Sequence, residues 1–108
     1  MNNQEIIFLQ LETRIVEVLK TVYDPEIPVN VYDLGLIYDV DVEEDNVVTI
    51  TMTLTAPNCP LADVILRDVK NSVESIEIVK EVKINLVFQP PWSKSMMTEE
   101  ALFELGFM

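Results

Sequence analysis

Two stretches of alternating residues in the middle of the chain constrain its fold most strongly. From Val48 to Thr55 every apolar residue is followed by a threonine, and from Leu36 to Val42 apolar residues again occupy every second position. Successive side chains of a β-strand point to opposite faces, so each stretch predicts a strand with one buried face. The acidic turn at residues 43–46 joins them and predicts an antiparallel hairpin. We expect the threonine row to lie opposite the apolar row, with Thr55 ending the second strand.

Helical periodicity flanks this hairpin on both sides. Apolar residues recur three and four positions apart over residues 5–22 and again over residues 65–76, which predicts two amphipathic helices. The first helix should stop before Asp24-Pro25, because a residue that precedes proline avoids the helical region.

The C-terminal third of the chain predicts one more strand and one more helix. Residues 82–88 alternate like the earlier strands, and the right-handed rule for strand–helix–strand crossings places this strand parallel to the second. Thr98 and Gly106 then bracket a short final helix as its N-cap and its end. The predicted order is α-β-β-α-β-α, an α+β fold with a three-stranded mixed sheet, in one domain that spans residues 1–108.

Charge and composition exclude several classes of function. The chain has 19 acidic residues against 7 basic ones, a formal net charge of −12, and no histidine. This charge repels phosphate backbones, so we expect no nucleic-acid partner. Without histidine, the chain cannot supply a histidine-based catalytic triad or metal site of its own. It shows neither an apolar run of about 20 residues nor a basic N-terminal signal, so we expect a cytoplasmic protein with no membrane partner.

The one cysteine, Cys59, lies in a run bounded by Pro57 and Pro60, where the strand pattern gives way to a helical one. A helix N-terminus carries roughly half a positive charge and favours the thiolate. This position indicates a reactive or metal-binding sulfur. The alternative is a small apolar filler, since free cysteines are among the most often buried residues.

Four landmarks in the sequence carry a resemblance to a known family. They are Asp24-Pro25-Glu26, Asp33-Leu34-Gly35-Leu36-Ile37, the run from Thr55 to Pro60, and Pro90-Pro91-Trp92 followed by Met96-Met97. In this order and spacing they resemble the small iron–sulfur cluster assembly domain that includes SufT and PaaD and is related to the eukaryotic cytosolic iron–sulfur targeting factor. The resemblance covers about residues 14–108 and implies the α+β fold of that domain.

The same resemblance implies a function and a site. It implies a non-enzymatic accessory factor in iron–sulfur cluster assembly, with assembly proteins and client apo-proteins as partners. It also implies a functional polar cluster made of Asp24, Glu26, Asp33, Thr55 and Cys59. A cluster ordinarily needs four protein ligands, so one thiolate would hold iron or a labile cluster only transiently, and we expect no stably bound cofactor. The missing ligands would come from a second copy of Cys59 in a homodimer, nearby carboxylates, a small thiol or a client.

Other interpretations of these residues stay open at this point. The candidate partner-binding residues are Pro90, Pro91, Trp92, Met96 and Met97, but the tryptophan ring could instead cover the edge of the core. A pure interaction adaptor with an incidental thiol is one alternative function. A PaaD-like oxygenase subunit is another, although the extra C-terminal cysteines of that branch are absent here. A thiol enzyme is disfavoured, because carboxylates near a thiol oppose its ionisation.

The acidic residues of the proposed cluster also have local explanations. Asp24 and Glu26 could cap and solvate a turn, and an Asx turn before Leu34-Gly35 would account for Asp33. The β propensity of threonine alone would account for Thr55.

Overall fold

The computed structural model describes residues 3–25, 27–55 and 61–107, with residues 3–8 described by their backbone alone. The elements in chain order are α1 (Asn3–Leu19), β1 (Ile37–Val42), β2 (Val47–Met52), α2 (Ala62–Glu74), β3 (Glu81–Leu86) and α3 (Glu99–Glu104), with a short 3₁₀ helix at Lys94–Met96. The predicted α-β-β-α-β-α order is confirmed. In the described part of the chain, no helix has both the length and the apolar character needed to cross a bilayer.

The three strands form one mixed sheet in the order β1-β2-β3. β1 pairs antiparallel with β2, and β3 pairs parallel with β2, so that Ile50 lies between Val40 and Ile84. α2 provides the crossover that makes this parallel pairing. α1 contacts β1, α2 contacts β3, and the two helices contact each other, so both lie on the same face of the sheet. The predicted α+β class and the three-stranded mixed sheet are confirmed.

The core lies between these two layers. It contains the inward-facing residues of each element, among them Leu11, Ile15 and Leu19 of α1, Val48, Ile50 and Met52 of β2, and Ile65, Val69 and Val73 of α2. The i, i+4 spacing on the helices and the i, i+2 spacing on the strand are those that the sequence predicted. α1 ends at Leu19, earlier than predicted, because the N–H groups of Thr21 and Val22 bond three residues back and tighten the last turn.

The threonine row of β2 departs from the prediction. β2 ends at Met52, and Met52, Thr53 and Leu54 are buried in succession, which breaks the alternation. The Thr53 N–H donates to the carbonyl of Leu36 at 2.9 Å, one residue beyond the Ile37–Met52 pair, so the pairing with β1 continues past the end of β2. Thr53 was expected on the open face and Thr55 at the strand end. Both expectations are wrong. Thr53 is fully buried, and Thr55 lies in a bend after the strand.

We expect Thr53→Val to stabilise the protein. The Thr53 Oγ1 atom is buried and, among the described residues, has no hydrogen-bond partner. An unpaired buried hydroxyl costs roughly 1–3 kcal/mol, and valine has almost the same shape. Urea denaturation should show a free energy of unfolding higher by about 1 kcal/mol with an unchanged m-value.

The matched control for this substitution is Thr51→Val, on the half-buried outer face of β2. It should change the free energy of unfolding by less than about 0.5 kcal/mol. A lower stability for Thr53→Val would show that its hydroxyl makes a bond that native folding depends on.

Candidate functional site

The loop after α1 holds Asp24 in a buried position. Tyr23 and Asn30 form an isolated antiparallel bridge that closes the loop. Inside it, the Asp24 N–H donates to the Val29 carbonyl at 3.5 Å, and the Asp24 carbonyl accepts from the Ile27 N–H at 3.3 Å. Only 6% of Asp24 is exposed, which is uncommon for a carboxylate. Glu26, the next acid of the proposed cluster, lies outside the described residues.

Asp33 is held by Asn30 through two hydrogen bonds. The Asn30 Nδ2 donates to Asp33 Oδ2 at 2.8 Å, and the Asp33 N–H donates to Asn30 Oδ1 at 2.8 Å. Both residues are buried. A side-chain-to-backbone bond of the Asx type is therefore present. Its accepting side chain is that of Asn30, whereas the sequence predicted that of Asp33. The carboxylate of Asp33 stabilises the turn that contains it.

Backbone hydrogen bonds connect this acidic loop to the exit of β2. Val31 donates to Val22, Leu36 donates to Val31 at 3.2 Å, and the Leu36 carbonyl accepts from Thr53. The turn at residues 31–35 therefore lies beside the segment that leads to Thr55, which is half-buried. Residues 56–60, including Cys59, lie outside the described residues.

The C-terminal segment crosses the same turn. The Trp92 Nε1 donates to the Leu34 carbonyl at 2.7 Å, and the Thr98 N–H donates to the Asp33 carbonyl at 2.9 Å. The Tyr38 hydroxyl donates to the Pro90 carbonyl at 2.7 Å. We call residues 90–98 the C-terminal strap.

The strap residues that were predicted to bind a partner differ in their surroundings. Pro90 and Pro91 are exposed, while Met97 is buried in the core. Trp92 is half-buried and packs against the core, as the alternative interpretation of its ring expected. The Met96 sulfur lies 3.6 Å from the Tyr38 hydroxyl.

Buried polar side chains concentrate in this one region. In the described part of the chain they are Asp24, Asn30, Asp33 and Thr53. Two of them, Asn30 and Thr53, were not predicted as part of the site. The spacing of Asn30 from Asp33 was an available signal, because asparagine often bonds backbone a few residues ahead. Within the described residues, no three cysteine or acidic side chains lie close enough together to hold a metal ion.

Comparison with known proteins assigns this fold and region to a family. Residues 12–86 match the family model described as iron-sulfur cluster assembly protein. The match covers well over half of the chain. The chain therefore belongs to this family of iron–sulfur cluster assembly proteins, and the resemblance found in the sequence is confirmed.

Individual relatives agree with this assignment. The chain is 66% identical over 108 residues to the "Fe-S protein maturation auxiliary factor" of Porphyromonas gingivalis, covering 100% of both chains. It is 39% identical to the "Fe-S protein maturation auxiliary factor SufT" of Staphylococcus aureus, covering 79% of this chain and 97% of the relative. A crystal structure of a domain of unknown function from Bacillus anthracis superposes with a TM-score of 0.86 at 40% identity, covering 92% of this chain and 94% of that one.

Proposed function

We propose that this protein is an auxiliary factor in the maturation of iron–sulfur proteins and that it acts as a transient carrier or targeting adaptor through Cys59. The observation that carries the proposal is the set of buried polar side chains around the exit of β2. Asp24 and Asp33 lie in the loop after α1, and Thr53 follows β2 in the segment that leads to Thr55. Two relatives named as Fe-S protein maturation auxiliary factors support the maturation role.

The proposed chemistry is incomplete coordination. A single thiolate leaves most ligand positions of an iron–sulfur cluster or iron ion open, so cargo held at Cys59 would transfer easily. Asp24 and Glu26 would orient the thiolate or supply oxygen ligands. The remaining ligands would come from a client, a small thiol or a second copy of the chain in a homodimer. The protein would do this without an enzymatic step.

The same proposal includes the partners of the protein and its location in the cell. Assembly proteins and client apo-proteins would be the partners, in the cytoplasm. No nucleic acid or membrane would take part, given a net charge of −12.

Replacing Cys59 tests the proposal directly. Cys59→Ala should fail to restore the activity of iron–sulfur cluster enzymes in cells that lack the native protein, because the transfer ligand is gone. Under anaerobic reconstitution with iron and sulfide, the variant should retain iron at least about tenfold more weakly than the native chain. Ser75→Ala, on an exposed residue at the end of α2, is the control and should behave as the native protein.

Normal client activity with Cys59→Ala, at a native level of folded protein, would contradict the carrier role. Loss of client activity without any change in iron retention would indicate that Cys59 contacts a partner protein and does not hold iron. This result would favour the targeting-adaptor role through Cys59 over the carrier role.

A further inference from the structure

A groove of about 690 Å³ lies between the loop after α1 and α3. Tyr23 and Val29 line it from the loop, and Glu100, Phe103 and Glu104 line it from the helix. It adjoins Asp33, whose carbonyl accepts from Thr98 just before α3. A concave surface of this size can bury several side chains of a bound peptide.

Two aromatic rings in this groove are exposed. Phe103 is 72% exposed and Tyr23 is 55% exposed. The neighbouring apolar residues of α3 behave differently, because Ala101 is buried and Leu102 packs against the core. Phe103 therefore faces away from the core that its own helix covers. Exposed aromatic rings in a groove are typical of docking sites.

The charges around these rings have one sign. The lining contains Asp33, Glu99, Glu100 and Glu104, and no lysine or arginine is among the described residues that line it. Asp33 is already bonded to Asn30, so the three exposed glutamates supply the available charge.

Helix stability does not account for the position of Glu104. This residue ends α3, where the helix dipole disfavours a negative charge, and no basic residue occupies the last turn. It also follows Glu100 by four positions, a spacing at which like charges repel. The end of the helix is satisfied without it, because Gly106 and Phe107 donate to the carbonyls of Phe103 and Leu102.

We infer that this groove docks a short segment of a partner protein in which a lysine or arginine stands beside an apolar side chain. The cation would lie over the ring of Phe103 or Tyr23 and pair with Glu100 and Glu104, while the apolar neighbour covers the rest of the groove. Charge complementarity selects this occupant, since an acidic or nucleic-acid segment would be repelled. The inference does not depend on the role proposed for Cys59.

A titration of the protein with a blocked hexapeptide of alternating leucine and arginine tests this inference. Amide chemical shifts should change at the groove, in the loop after α1 and in α3. Phe103→Ala should weaken binding by about tenfold, because it removes the central aromatic contact. Glu104→Gln should weaken binding about two- to threefold and reduce its salt dependence, while thermal stability stays equal or rises.

The chain offers a matched pair of control substitutions. Glu77 and Ile78 are an exposed acid and an exposed apolar residue outside the groove lining. Glu77→Gln and Ile78→Ala should leave peptide binding unchanged.

Three results would overturn the inference. The first is absence of saturable binding. The second is equal weakening by the control and groove substitutions. The third is equal binding of a hexapeptide of leucine and glutamate, or equal shifts with Mg²⁺ alone, because neither probe has the proposed chemistry.

Discussion

Gly35→Ala is expected to lower the free energy of unfolding by about 3 kcal/mol, a large effect for the addition of one methyl group. Gly35 has a φ of +84°, a backbone conformation that residues with a Cβ rarely adopt. A Cβ at this position would also lie 2.8 Å from the carbonyl carbon of Met96 in the C-terminal strap. That contact involves backbone, so the strap itself would have to move. Urea denaturation measures this loss of stability, and an unchanged m-value would show that the denatured state is the same in both proteins.

Gly106→Ala is the matched control for this substitution. Gly106 has a similar φ of +80°, but a Cβ there would meet nothing within 4 Å. It should cost about 1 kcal/mol, the backbone contribution alone. The difference between the two substitutions measures how closely the strap packs on the turn. Equal losses at both glycines would contradict the packing of Met96 against Gly35.

This close approach explains why two of the sequence landmarks occur together. The carbonyl of Leu34 accepts from Trp92, the carbonyl of Asp33 accepts from Thr98, and Gly35 admits the backbone of Met96. The Asp-Leu-Gly turn and the strap are therefore one structural unit, although more than 50 residues separate Leu34 from Trp92 in the chain. Part of the set of landmarks that carries the family resemblance is therefore a folding requirement.

Periodicity predicted the elements of the fold well, because burial on one face leaves a direct record in the sequence. The alternation of Val48, Ile50 and Met52 and the spacing of Ile65 and Val69 are examples, and both sets lie in the core. The prediction failed at Thr53, which is buried after β2 ends although its N–H still donates to the carbonyl of Leu36 beside β1. Local propensity cannot register such a contact.

The candidate site was less predictable than the fold. Asp24 and Asp33 were identified from the family resemblance, but their burial is a property of the folded loop that no periodicity in the sequence records. The groove could not be predicted, because it forms only when Tyr23 and Phe103 are brought together by the fold. The functional roles of Asp24, Glu26, Asp33, Thr55 and Cys59 all stay predictions.

Trp92→Ala is expected to lower the free energy of unfolding by about 2–3 kcal/mol. The ring is half-buried against the core, and its Nε1 donates to the Leu34 carbonyl at 2.7 Å. Truncation would remove the packing and leave that carbonyl without its donor. If this variant failed to capture a partner, the failure could therefore come from unfolding as well as from the loss of a direct contact with the partner. Trp92→Phe keeps most of the ring and should cost only about 1 kcal/mol.

The phenylalanine variant thus separates a structural tryptophan from a docking tryptophan. In the native protein the indole N–H of Trp92 is bonded to the Leu34 carbonyl inside the molecule. We therefore expect Trp92→Phe to capture assembly partners at the native level in a pull-down, carried out at a temperature where the variant is fully folded. Pro91→Ala, on the exposed part of the strap, is the companion variant, and its effect reports surface contact without loss of core packing. Loss of capture by folded Trp92→Phe would contradict the structural role and favour the pure interaction adaptor, in which the strap binds the partner and the thiol is incidental.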